Sequence, residues 1–80
     1  MTNLEKLNNI FSEVFSVDVS SLNADFNKDN VDLWDSIHQL SLTSGVEDEF
    51  DIMLDAEDIL GFTSYENAKE ILKKYEISIE

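Results

Sequence analysis

The chain has no cysteine, no proline and no arginine, and only two glycines. Without cysteine there is no disulfide, no thiolate zinc site and no cysteine nucleophile. Nothing in the composition marks a linker, a low-complexity stretch or an internal repeat, so the 80 residues are expected to form one domain over 1–80. Long apolar runs are missing as well: none approaches the roughly 18 residues of a membrane span. The start, Met1-Thr2-Asn3-Leu4-Glu5-Lys6, has no charged-then-apolar leader pattern. A cytoplasmic chain that does not insert into membranes is the expectation.

Positive charge is scarce. Five lysines face eighteen acidic residues, a formal net charge of −13. Phosphate-backbone binding needs clustered Lys and Arg, so nucleic acid is excluded as a partner, and an anionic membrane would repel the same surface. Proteins with basic patches are the natural partners, because opposite fields speed encounter. The charge is also unevenly placed. Between Lys28 and Lys69 stand eleven acids and no base: Asp29, Asp32, Asp35, Glu47, Asp48, Glu49, Asp51, Asp55, Glu57, Asp58 and Glu66. On charge alone, a docking surface and a plain solvated face are both open.

What is present is a 42% hydrophobic content with helical spacing. Capping pairs, a Ser, Thr or Asp three residues before an acid or amide, mark helix starts at Thr2–Glu5, Ser36–Gln39, Asp55–Asp58 and Thr63–Glu66. Leu4, Leu7, Phe11 and Val14, widened by Ile10 and Phe15, give the first helix its apolar stripe. Tyr65, Ala68, Ile71, Leu72 and Tyr75 do so for the last, whose lysines Lys69, Lys73 and Lys74 suit its negative end. Gly61 follows the short third segment, where left-handed geometry is expected. Residues 16–35 have no period and read as a long loop, held down by Val17, Val19, Leu22, Phe26, Val31, Leu33 and Trp34. No strand is secure, Ile77-Ser78-Ile79 being too short. The fold class is therefore all-α, a four-helix bundle with a long first loop and a short third helix.

In the second helix Leu42, Thr43, Val46 and Phe50 share a core-facing stripe with Leu40 at its edge, while Ile37 falls outside with Ser41, Ser44 and Asp48. An aliphatic side chain is thus expected in water beside a serine at a helix start. His38 reads as a surface residue and not as a base, and Trp34 as a loop anchor. Acids at the end of this helix, Glu47, Asp48, Glu49 and Asp51, oppose its dipole, which favours a role other than helix stability.

Trp34-Asp35-Ser36-Ile37, then Leu40 and Leu42, then Glu47-Asp48-Glu49-Phe50-Asp51, resembles the acyl carrier protein signature: an Asp-Ser-Leu tripeptide opening a helix that ends in an acidic run with a phenylalanine. The resemblance spans essentially the whole chain and implies a four-helix carrier domain that is not itself an enzyme. It implies that a phosphopantetheinyl transferase attaches 4′-phosphopantetheine, taken from coenzyme A, to Ser36, with Asp35 and Ile37 in recognition. It further implies a phosphoprotein that carries thioesters, as in fatty acid biosynthesis, between acyl-transferring or condensing enzymes. Those enzymes would dock through basic patches on Ile37, Ser41, Ser44, Glu47 and Asp48. Leu40, Leu42, Val46, Phe50, Ile59, Leu60, Phe62, Ala68 and Ile71 would wall an acyl pocket, and the same set suits an ordinary core. A monomer is expected. Ile37 in place of leucine, Ser41, Ser44, mid-helix Gly45 and Trp34 look more like stand-alone carriers of specialised pathways than the general fatty-acid carrier, and an aminoacyl, D-alanyl or polyketide-type cargo stays open.

The rival readings are an acidic divalent-cation-binding helical protein, an unmodified adaptor and an enzyme. Asp25-Phe26-Asn27-Lys28-Asp29 begins like an EF-hand loop but continues with Asn30, Asp32 and Ser36 where glycine, an apolar residue and glutamate belong. No metal site is expected. An adaptor has no use for Ser36, and no metal triad, phosphate loop or nucleophile–base spacing supports an enzyme.

Overall fold

The computed structural model describes residues 2–79, and they form four α-helices: α1 Asn3–Phe15, α2 Ser36–Phe50, α3 Ala56–Leu60 and α4 Tyr65–Lys74. A single 3₁₀ turn, Val19–Ser21, lies in the long connection between α1 and α2. No strand occurs among the described residues. The all-α class and the long-loop, short-third-helix pattern therefore stand.

The first helix starts as its sequence dictates. Thr2 accepts from the Glu5 N–H at 3.1 Å while the Thr2 N–H donates to Glu5 Oε1 at 3.2 Å, a reciprocal box. Its stripe buries Leu7, Phe11 and Phe15 completely or nearly so. Around Phe11 and Phe15 gather Phe26 and Trp34 from the loop and Tyr65 from α4, with centroid distances of 4.8–6.1 Å. Mostly tilted and edge-on geometry is what ring quadrupoles favour. The long loop is thus fixed by two aromatic anchors, Phe26 and Trp34. Val17, Leu22 and Val31 pack against the core partly buried, while Val19 and Leu33 are the more exposed of the expected anchors, at 39% and 51%.

Residues 26–28 run beside the start of α4. Tyr65 N–H donates to the Phe26 carbonyl at 2.9 Å and Lys28 N–H to the Thr63 carbonyl at 2.8 Å. This pairing secures a loop that propensity leaves undetermined.

α2 faces the core with Leu42, Thr43 and Val46, all fully buried or nearly so. The Thr43 hydroxyl is satisfied by the Gln39 and Leu40 carbonyls, both at 3.1 Å. Gly45 has its reason here. A β-carbon added there would stand 3.2 Å from Ile10 Cγ2, so glycine lets α1 and α2 approach.

Several sequence expectations need correction. α2 is capped by Asp35, not Ser36: the His38 N–H donates to Asp35 Oδ1 at 2.9 Å, and Ser36 is the first helical residue. A carboxylate is the stronger acceptor, and Gln39 spends its amide on the Ile59 carbonyl, 2.7 Å away. α4 is capped by Ser64, one residue after Thr63, through the Asn67 N–H at 2.9 Å. Asp55 stands at the α3 start without a side-chain cap, and the Asp58 carboxylate that would complete the box is turned to Lys74 and Tyr75 instead. Gly61 has φ −82° and is not left-handed; Ser16, Asp51 and Glu76 are, at φ 54°, 53° and 66°. Leu40 is not at the core edge but 63% exposed.

Candidate functional site

The N-terminal turn of α2 is held from both sides. Before it, Trp34 is buried against Phe15, 4.8 Å between ring centroids. After it, His38 stacks on the same Phe15 at 5.8 Å and 16°, and its Nδ1 lies 2.8 Å from Asp35 Oδ1. His38 is therefore half-buried and engaged, more than the surface residue expected from sequence. The hydrogen bonds from His38, backbone N–H first and ring second, hold the Asp35 carboxyl below its ordinary range.

Between these anchors Ser36 is exposed. Since Asp35 takes the capping role, the Ser36 hydroxyl has no hydrogen-bond partner among the described residues. The fold thus presents an unengaged primary alcohol on a rigid turn. Ile37, next to it, is 74% exposed, and Ser41, Ser44 and Asp48 are exposed further along the helix. Of the five residues expected to dock partners, Glu47 differs: it is half-buried, and its Oε2 accepts the Leu54 N–H at 2.9 Å. Its carboxylate fastens the α2–α3 connection, which sequence reasoning missed. Asp48, Glu49 and Asp51 are left as the exposed acids of that stretch.

Beside Ser36 lies an open groove of about 330 Å³, lined by Lys28, Ser36, Gln39, Leu40, Ile59 and Leu60. Leu40 and Leu60 are strongly exposed, at 63% and 74%. Of the nine expected pocket residues, Leu40, Ile59 and Leu60 line this groove. Leu42, Val46, Phe62 and Ala68 are fully buried in the core, and Phe50 and Ile71 pack against it from its margin. α3, the outer wall, is fastened twice. Gln39 Nε2 holds the Ile59 carbonyl, and Asp58, only 6% exposed, accepts from Lys74 Nζ at 2.7 Å and from the Tyr75 hydroxyl. The bond from Lys74, then that from Tyr75, keeps the Asp58 carboxyl low, while Lys74 and Tyr75 are pushed up chiefly by that same carboxylate.

Gln39, Lys28 and the Asp58 cluster are the site residues that periodicity did not single out. Among the described residues, no group of three or more His, Asp or Glu is placed to hold a metal ion. The EF-hand-like start at 25–29 is tied up internally: Asn27 Oδ1 accepts the Asn30 N–H at 2.9 Å, and Asn30 Nδ2 donates to the Asp25 carbonyl at 2.9 Å. No helix among the described residues is long and apolar enough to cross a membrane. In comparison with known proteins, the chain matches no family model, no curated protein and no solved structure.

Proposed function

We propose that this chain is an acyl carrier protein, with Ser36 as the attachment point of 4′-phosphopantetheine. The observation that carries the reading is the Ser36 hydroxyl: exposed, free of partners, and fixed at the first turn of α2 because Asp35 takes over the cap. A second support is chemical fit, since the groove beside that hydroxyl has both apolar walls and a cation.

In the attachment step a base of the transferase removes the Ser36 proton. Ser36 Oγ then bonds to the phosphorus of coenzyme A that bears pantetheine, and the bond from that phosphorus to adenosine 3′,5′-bisphosphate breaks, the electron pair leaving with the bisphosphate. Once bound, the arm supplies a terminal thiol that holds acyl groups as thioesters. The protein's own work is to present the serine, to orient α2 and to offer partners a face. On that face Ile37 gives an apolar contact, and Asp48 and Glu49 give charge that steers basic enzymes. Asp35 has two duties in this reading, capping α2 and offering negative charge to the transferase and its Mg²⁺. The net charge of −13 suits electrostatic steering and repels nucleic acid.

The test is an intact mass after incubation with coenzyme A, Mg²⁺ and a broad-specificity phosphopantetheinyl transferase. The expected result is a gain of one phosphopantetheinyl unit that Ser36→Ala abolishes. An unchanged mass for the folded wild type refutes the reading.

A further inference from the structure

Among the described residues Lys69, Lys73 and Lys74 sit in ion pairs, with Glu66, Glu70 and Asp58. Lys6, on α1, and Lys28 form none. Of these two, Lys28 is the one that lines the groove holding Ser36. Its backbone is not free to wander: its N–H is bonded to the Thr63 carbonyl at 2.8 Å, in the segment pinned beside α4. An unpaired ammonium in so acidic a protein, in one groove with the candidate attachment serine, is placed for an anion that the bare polypeptide lacks.

We propose that Lys28 is the counter-ion of the phosphodiester formed on Ser36, and that this pairing turns the prosthetic arm over the groove toward α3. The inference rests on the carrier reading and deepens it. Attachment at Ser36 creates one new negative charge. Asp35, next to Ser36, is itself an anion that repels a phosphate, and its carboxylate is held by His38. Lys28 is the lysine lining this groove, and it lies on the α3 side with Leu40, Ile59 and Leu60. Leu40 and Leu60 present apolar surface there, on which the methyl-bearing part of the arm can rest. In the other direction Ile37, Ser41 and Ser44 are exposed. Lys28 is thus a positioning residue: it keeps the arm off the face that partner enzymes contact until one of them competes for the phosphate.

Lys28 and Ser36 are both exposed, so salt screens the pairing. The groove wall is held independently of it, by the Gln39 amide on the Ile59 carbonyl at 2.7 Å, so removal of the ammonium leaves the wall in place. This separates the positioning role from a structural one.

The experiment compares amide spectra of the unmodified and phosphopantetheine-loaded protein for wild type, Lys28→Met and Lys28→Arg. In wild type, loading shifts the amide signals of Leu40, Ile59 and Leu60 as well as those of Ser36 and Ile37. In Lys28→Met the Leu40, Ile59 and Leu60 shifts are lost and those at Ser36 and Ile37 remain; Lys28→Arg restores them, and a few hundred millimolar NaCl weakens them in wild type. Equal melting temperatures of the three unmodified proteins show that the fold is unaffected. The inference is overturned if loaded wild type leaves Leu40, Ile59 and Leu60 unshifted, or if Lys28→Met shifts them as wild type does. Failure of wild type to load at all, by intact mass, overturns the carrier reading and this inference together.

Discussion

Replacing Gly45 by alanine sets two known effects against each other. In a helix interior alanine is favoured over glycine by about 1 kcal/mol. Against this, the new methyl lies 3.2 Å from Ile10 Cγ2, tighter than ordinary packing. Isoleucine in a helix is held in one χ1 well about 90% of the time, so Cγ2 cannot swing aside and α1 must move. Overpacking of this kind costs about 1–3 kcal/mol. The net expectation for Gly45→Ala is a loss of about 0–2 kcal/mol, where an ordinary exposed helix site would gain. The clearer assay is a double-mutant cycle in urea with Ile10→Ala. Removing the isoleucine branch leaves room for the methyl, so the double mutant should recover about 1 kcal/mol or more relative to the sum of the singles. Additivity within about 0.5 kcal/mol, or a Gly45→Ala protein more stable than wild type, would refute the close-approach account of this glycine.

Ser16 ends α1 at φ 54°, so Ser16→Gly should relieve left-handed strain by up to about 1 kcal/mol and raise the melting temperature, at the full 1 kcal/mol by roughly 4–8 °C; an unchanged or lower melting temperature would argue against it. Asp58 has a lowered folded pKa, so its contribution is complete above the ordinary aspartate value of about 3.9 and disappears as pH falls through the folded value. Acid titration of stability should therefore show a shallower decline below about pH 4 in Asp58→Asn, and identical slopes for the two proteins would contradict the Lys74–Tyr75 clasp. Asp35→Asn keeps a good capping side chain but removes the charge, so urea stability should hold while the transferase rate falls; equal rates would end the idea that the carboxylate serves modification. With a net charge of −13, millimolar Mg²⁺ or Ca²⁺ should raise the melting temperature beyond an ionic-strength control, and no such rise would exclude divalent binding by the acidic surface.

Much of the helical layout was legible because the apolar period is clear along α1 and α4 and, at Thr2, the capping box agrees with it. The misplaced starts share one cause. Where two capping residues are adjacent, Asp35-Ser36 and Thr63-Ser64, local pattern cannot tell which takes the extended conformation, and tertiary contacts decide. Trp34 and His38, both packed on Phe15, set the frame for Asp35. The exposed Ile37 followed from angular position alone, whereas exposed Leu40 did not, because short α3 leaves it only a groove to face. Lys28 was invisible as a site residue. The other wall of its groove, Ile59 and Leu60, is far along the chain, and residues 26–28 are held beside 63–65 by backbone hydrogen bonds that no local pattern announces. Glu47 and Asp58 looked like surface charge and prove to be fastenings, since a carboxylate that bonds a nearby N–H or lysine has the same sequence signature as one in water.

The central claim is that the Ser36 hydroxyl is the modified group, and fragment masses test it most directly. Protein co-produced with a phosphopantetheinyl transferase is cleaved after acidic residues, and the peptide containing Ser36 is sequenced by fragmentation. The account predicts the added phosphodiester on Ser36, with Ser41 and Ser44 bare. A bare Ser36 peptide in folded protein exposed to active transferase, or the group on another serine, would contradict it.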